Sequence, residues 1–384
     1  MSFRAGDTVK IRERYISGIA YDYAEPWRHG TVICKFEDDT YLVRLSNDGY
    51  VLLPDYEIYG YSYTTFLSDF DRSQASIVFF GTGDLAVPML TMLMERGYNV
   101  VAVVTGEDNP RHKKMGAVKK VALDWGRKVC QPQSLTDETF LKEIAALHPT
   151  LGVVVDFRLM PRELYGIPTF GSINLHTSLL PAYRGASPIQ AAIRNGDHFS
   201  GLTTFVLNEG IDKGRVINNI AIYIDKETTA GELLGKMSHF GADLLDEAIA
   251  MRHLRYSTEE QSKLECDFIQ PSYAPKYGKA ECAVNWAMKA EEVCKFIRSL
   301  SPKPAAWTNC ILFDKLLYLK IYRASVTDYP TESRRCGHMD SKGDELLIYC
   351  SDYAVSVEEL LVGGGKRMTA KDFINGYGDF GLCE

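Results

Sequence analysis

Ala75-Ser76-Ile77-Val78-Phe79-Phe80-Gly81-Thr82-Gly83-Asp84-Leu85-Ala86 passes from a nearly unbroken apolar run through a glycine turn into helical sequence. An apolar run of this length marks a strand buried on both faces, as in parallel sheets. The helix is predicted from about Leu85 to Arg96, with Gly97 as its stop, and a second apolar run at Val100–Thr105 completes a β-α-β unit. A helix at Ala117–Trp125 and strands at Leu151–Val155 and Ser172–His176 continue the alternation. The predicted fold is therefore a doubly wound, Rossmann-like α/β domain with a mostly parallel sheet.

Outward from this core the pattern changes on both sides. Residues 7–61 alternate apolar and polar side chains in short runs, as in Thr31–Phe36 and Thr40–Leu45, separated by the turn chemistry of Glu37-Asp38-Asp39 and Ser46-Asn47-Asp48-Gly49. That predicts a small antiparallel β-domain, which loosely resembles SH3-like or Tudor-like barrels. Beyond a helix near Thr229–Ala250, the Pro-, Gly-, Lys- and Tyr-rich segment Cys266–Glu281 reads as a linker. A helix at Ala290–Leu300 and β-like runs at Leu316–Tyr322, Leu346–Tyr349 and Ala354–Leu361 then predict a closed or half-closed OB-like barrel. The expected divisions are 1–72 for the β-domain, 73–265 for the α/β domain, 266–283 for the linker and 284–384 for the barrel.

Bulk properties narrow the function classes. A chain of 384 residues exceeds what one core organises, which agrees with several domains. No apolar stretch approaches a membrane span and no export signal is read at the start, so no membrane partner and a cytoplasmic location are expected. Nine scattered cysteines contain no C-x-x-C pair and suggest neither a disulfide framework nor a zinc site. A net charge of −7 requires any nucleic acid to be held by a local basic patch.

Gly81-Thr82-Gly83-Asp84-Leu85-Ala86 fits the G-x-G-x-x-G/A dinucleotide fingerprint, with Glu107 near the end of the second strand. The same glycines also suit a bare strand-to-helix turn, and the turn alone does not decide between an NAD-dependent oxidoreductase and a structural role. Ser172-Ile173-Asn174-Leu175-His176 is more telling. Its period of two puts Asn174 and His176 on one face, at the carboxyl end of a strand where open α/β sheets place ligands. Downstream, Glu209-Gly210-Ile211-Asp212-Lys213-Gly214 sets a carboxylate between two glycines. Taken singly, such residues are usually satisfied polar groups or turns. Taken together, a polar pair interrupting a buried strand at its functional end reads as a site.

Asn174-Leu175-His176-Thr177-Ser178-Leu179-Leu180-Pro181, with Tyr183-Arg184-Gly185 and the Asp212 turn, resembles the signature of the folate-dependent formyltransferases. From about Ile77 onward the motif order resembles the branch of that family acting on methionyl-tRNA, through Tyr273-Ala274-Pro275-Lys276, Val284-Asn285-Trp286, Arg298–Trp307 and Gly365–Phe373. The resemblance implies transfer of a formyl group from 10-formyltetrahydrofolate to the α-amine of initiator methionyl-tRNA for translation initiation. It implies Asn174, His176 and Asp212 as catalytic residues and no metal. It also implies folate contacts from Ser178, Leu179, Leu180 and Pro181, from the loop Phe157, Arg158, Leu159 and Met160, and from Gly210. An amide and a protonated imidazole suit a developing oxyanion, and a carboxylate beside them supports the imidazole's charge.

Two departures stand out. Gly83 occupies the place of the family's proline, and the basic loop after the second strand is shortened, leaving Arg111, Lys113 and Lys114, with Arg184, as the expected tRNA contacts. A monomer is the working expectation. A sugar-nucleotide N-formyltransferase is the nearest rival function, an oxidoreductase the distant one, and a non-catalytic RNA-binding module a third.

Overall fold

The computed structural model describes residues 8–12, 27–35, 40–45, 50–54, 58–59, 70–108, 115–255, 258–265, 269–312, 315–377 and 382–383. Its first five strands are β1 (Thr8–Arg12), β2 (Trp27–Lys35), β3 (Thr40–Leu45), β4 (Tyr50–Pro54) and β5 (Ile58–Tyr59). They form an antiparallel sheet in the order β4-β3-β2-β1-β5. The alternating runs expected as strands fall in β2 and β3, whereas turn residues 37–39 and 46–49 lie outside the described residues.

The α/β sheet is built from β6 (Ser76–Gly81), β7 (Asn99–Val104), β8 (Val129–Cys130), β9 (Leu151–Val155), β10 (Ser172–His176), β11 (Phe199–Val206) and β12 (Val216–Tyr223). The order is β12-β11-β10-β9-β6-β7-β8. Pairing is parallel from β10 through β9, β6 and β7 to β8, and turns antiparallel at β11. From β6 the chain winds one way through β7 and β8, then crosses back to β9 and β10. The crevice between the carboxyl ends of β6 and β9 is thus the switch point of the sheet, where open α/β sheets bind ligands.

Ile77, Val78, Phe79 and Phe80 are all fully buried, as a two-sided parallel strand requires. The following helix α1 (Ala86–Glu95) buries Met89, Leu90 and Leu93 and is stopped by Gly97 at φ +79°, whose N–H donates to the Met94 carbonyl. Helix α2 (Ala117–Asp124) and helix α3 (Glu138–Ala145) follow, the latter capped by the Asp137 carboxylate on the Phe140 N–H at 2.8 Å. Ile144 and Leu164 pack with Phe80, Val104 and Val154 on one face of the sheet. Truncating such a residue to alanine costs about 2–5 kcal/mol.

The chain divides into two compact units: residues 1–185, 200–223 and 236–273, and residues 186–199, 224–235 and 274–384. Helix α4 (Pro188–Asn195) belongs to the second unit, while helix α5 (Ala230–His253) runs from one into the other. The second unit continues with helix α6 (Ala290–Leu300), predicted with the same bounds, and strands β13 (Ala306–Leu312), β14 (Lys315–Pro330), β15 (Met339–Lys342), β16 (Glu345–Tyr349), β17 (Tyr353–Val362) and β18 (Arg367–Thr369). Helix α7 (Ala370–Tyr377) follows. The antiparallel order is β13-β14-β17-β16-β15, with β18 on β17. Leu382 and Cys383 bridge the seam: Ile311 donates to the Leu382 carbonyl at 3.1 Å and Cys383 to the Gly337 carbonyl at 2.8 Å. The predicted half-closed barrel is therefore an antiparallel sheet whose first and last strands are joined through a two-residue bridge.

Candidate active site

Strand β10 is tied on one side to β9, with Asn174 opposite Val154, and on the other to β11, with Asn174 opposite Phe205. Ile173 and Leu175 point into the core on one face, and Asn174 and His176 lie on the other. The His176 ring sits edge-on to Phe205, with centroids 6.5 Å apart. Its Nε2 lies 2.9 Å from the Tyr183 carbonyl oxygen. A carbonyl has no proton to give, so Nε2 carries the hydrogen and donates it. That leaves Nδ1 as the nitrogen able to gain or lose a proton.

Asp212 faces that nitrogen. Its Oδ2 is 3.9 Å from Nδ1 and accepts the Gly185 N–H at 2.7 Å. Both side chains are largely sheltered, at 8% and 14% exposure, which strengthens the field of the carboxylate on the ring. Two non-glycine residues hold left-handed backbone to achieve this, Tyr183 at φ +56° and Asp212 at φ +51°. Each costs about 1–2 kcal/mol, strain of the kind that persists where surrounding structure fixes a functional geometry. The three residues drawn from the sequence as catalytic thus lie in one compact unit, His176 beside Asp212 and Asn174 one position along the same strand face.

The neighbouring loop is built from inside. The Ser178 hydroxyl is fully buried and donates to the Ala182 carbonyl at 2.6 Å, so it is a loop brace and does not itself offer a ligand contact. Thr203 of β11 donates to the Ser178 carbonyl at 2.7 Å and accepts the Leu180 N–H at 3.1 Å. Leu179, Leu180 and Pro181 are buried as well, and a Cβ at residue 201 would fall 2.6 Å from a Leu179 methyl. In the second loop Met160 is buried and Phe157 packs on Phe80 with centroids 5.8 Å apart, whereas Leu159 is 76% exposed. The Arg158 guanidinium donates to the Pro132 and Gln133 carbonyls at 2.7 and 3.3 Å. Gly210 donates its N–H to the Asn208 side chain at 3.0 Å within the Asp212 turn.

Arg184, expected as a tRNA contact, is engaged by the protein: Nε and Nη2 donate to Gln261 Oε1 at 3.1 and 2.6 Å. Gln261 in turn donates to the carbonyls of Asp212 and Gly214 at 2.8 and 2.9 Å. This buried glutamine, absent from the sequence reading, ties the Arg184 loop to the turn that carries Asp212. No motif surrounds it, so the sequence carries no signal for it. Arg111, Lys113 and Lys114 lie outside the described residues.

The glycine turn is not open to a dinucleotide. A Cβ built on Gly83 would lie 1.4 Å from Oδ2 of Asp156, so the space over the turn is filled by a carboxylate. With Asp84 also beside it, the local charge opposes a pyrophosphate. The absence of a side chain at residue 83 is explained by this packing.

Residues 75–249 match the formyl transferase family, and residues 276–378 match the formyl transferase C-terminal domain. The methionyl-tRNA formyltransferase of Porphyromonas gingivalis is 38% identical over 312 residues, spanning 80% of this chain and 97% of the relative. That of Parabacteroides distasonis is 39% identical over 322 residues, with the same 80% and 97% shares. An N-formyltransferase from Helicobacter canadensis, crystallised with folinic acid and dTDP-3-aminofucose, shares the fold at TM-score 0.54 and 18% identity over 74% of this chain and 98% of that one. The matches run from the glycine turn through β10 and the C-terminal sheet, and the chain belongs to the formyl transferase family, within its methionyl-tRNA formyltransferase branch.

Proposed function

We propose that this chain transfers the formyl group of 10-formyltetrahydrofolate to the α-amine of methionyl-tRNA, in the cytoplasm. The observation that carries the reading is the meeting of Asn174, His176 and Asp212 at the carboxyl end of β10, with one imidazole nitrogen fixed and the other facing a carboxylate. The amine nitrogen attacks the formyl carbon, a C–N bond forms, and negative charge collects on the formyl oxygen. Asn174 and the protonated Nδ1 of His176 are the donors for that charge, and preorganised donors of this type contribute about 3–4 kcal/mol each. As the carbon–N10 bond breaks, N10 gains a proton and the former ammonium loses its own, with His176 Nδ1 as the relay and Asp212 supporting the imidazolium.

The braced Ser178–Pro181 loop and the Phe157–Met160 loop form the donor side, offering backbone groups and the exposed Leu159 to the pterin. The C-terminal sheet and the basic segment Arg111–Lys114 serve the tRNA, and Arg184 acts on it only through the position of its loop. The test supplies 10-formyltetrahydrofolate with methionyl-tRNA or with an amino-sugar nucleotide at matched low salt. Formylation of the tRNA alone supports the proposal; formylation of the sugar alone replaces it with the sugar-nucleotide reaction.

A further inference from the structure

Asp156 follows directly on β9, and its place is set by the two strands beside it. Val155 pairs with Gly81 of β6 and with Leu175 of β10, so the next residue stands between Thr82 and His176 at the rim of the switch-point crevice. Adjacent strands lie about 4.8 Å apart, which puts Asp156 one strand from the catalytic imidazole. Its backbone is held there by the Thr82 N–H donating to its carbonyl at 3.2 Å, and at φ +48° it adopts the left-handed conformation without being glycine.

The carboxylate lies over Gly83, where a side chain on residue 83 would collide with it. Among the described residues no donor reaches that carboxylate. Although Asp156 is exposed, desolvation by the atoms packed around it, and then the negative charge of Asp84, hold its carboxyl above the usual carboxylate range. Exposed at the carboxyl end of β9, Asp156 stands at the rim of the crevice and is open to a group that enters there. The group that the reaction brings to that crevice is an amine, which is an ammonium at neutral pH and must come to rest beside His176.

We propose that Asp156 is an acceptor-binding residue: its carboxylate takes the acceptor's ammonium at the switch point before attack and keeps the acceptor's phosphates away from the glycine turn. This rests on the formyl-transfer reading above. The departure from the family's proline at Gly83 then has a purpose, since it opens the space that lets the carboxylate lie at the crevice. Asp156 immediately precedes the donor-side loop Phe157–Met160, whose backbone Asp156→Asn leaves in place, so the carboxylate's own role is read as a rise in the acceptor KM without a rise in the donor KM.

Asp156→Asn preserves the shape over Gly83 and removes the charge. The expected result is an acceptor KM for methionyl-tRNA raised about tenfold, the scale of one charge-assisted hydrogen bond, with the KM for 10-formyltetrahydrofolate unchanged. An unchanged acceptor KM, or a rise confined to the donor KM, overturns the proposal. Should Asp156→Asn fold poorly, Asp156→Ser gives the same comparison with a smaller side chain, its fold checked by circular dichroism. Wild-type turnover separates the two layers: no formylation of methionyl-tRNA by the wild type refutes the underlying reading and the subsite together. Normal wild-type turnover with an unaltered variant refutes the subsite alone.

Discussion

At the level of single residues, the proposed chemistry depends on His176 presenting one nitrogen rather than two. The Tyr183 carbonyl consumes Nε2–H, and the Asp212 carboxylate confronts Nδ1. Gln261 holds the turn that carries Asp212, so Gln261→Ala leaves the Arg184 guanidinium and two carbonyls without their partner. That variant is expected to lose about 1–3 kcal/mol of stability. A drop in kcat of about tenfold is expected alongside it, with KM for the donor little changed, since a small misplacement of a catalytic group is costly; thermal unfolding and steady-state kinetics check both. The Asn174 and His176 pair was legible because strand periodicity alone fixes which residues share a face. Gln261 and the Tyr183 carbonyl were not, because their roles arise only when segments far apart in the chain close on one another.

At the level of elements, the Ser178–Pro181 loop, proposed as the donor side, is a product of β11. Thr203 holds both the Ser178 carbonyl and the Leu180 N–H, so Thr203→Val removes a donor and an acceptor while keeping the volume. The expected outcome is a loss of about 2 kcal/mol with a raised donor KM, read by denaturant unfolding and by titration of the folate. Strands β6, β9 and β10 were readable as apolar runs. Strands β11 and β12 were not, and the reason is physical: Ser200, Thr203, Thr204, Asn218 and Asn219 are buried polar residues that break the apolar pattern. Thr204 hydrogen-bonds Asn218, whose amide also donates to the Leu244 carbonyl at 3.1 Å, whereas Ser200 Oγ and Asn219 Oδ1 are buried without a hydrogen-bond partner among the described residues. In the second unit, Gly337 sits at φ +84° with a Cβ position 2.2 Å from the Cys383 carbonyl that completes the seam. Gly337→Ala combines a left-handed backbone with a clash and is expected to cost about 2–3 kcal/mol, measurable as a lowered unfolding midpoint.

At the level of the whole molecule, Asp246 of α5 gathers the segment entering the α/β sheet. Arg72 approaches it with two bonds of 2.9 and 2.8 Å, Arg96 at 2.8 Å and the Tyr98 hydroxyl at 2.6 Å. Burial alone raises a carboxyl, but the hydrogen bonds from Arg72 and Tyr98 and the charge of Arg96 outweigh it and hold Asp246 below its ordinary range. A depressed carboxyl stabilises the fold above the unfolded value of about 4 and loses that contribution as pH falls below it. Asp246→Asn is expected to cost about 3 kcal/mol at neutral pH and to flatten the fall in stability below pH of about 4, as measured by unfolding across pH. The division into an α/β unit and a C-terminal β unit was legible from changes of period along the chain. The inclusion of residues 186–199 and 224–235 in the second unit was not, because it depends on tertiary packing rather than on local pattern.

The proposed formyl transfer through Asn174, His176 and Asp212 is probed by Asp212→Asn, which keeps the shape of the turn while removing the charge facing Nδ1. The decisive measurement is single-turnover transfer of a labelled formyl group from 10-formyltetrahydrofolate to methionyl-tRNA, alongside equilibrium binding of the folate. Transfer slowed by about a hundredfold or more, with folate affinity retained, is the expected result. Transfer at the wild-type rate would contradict the proposal.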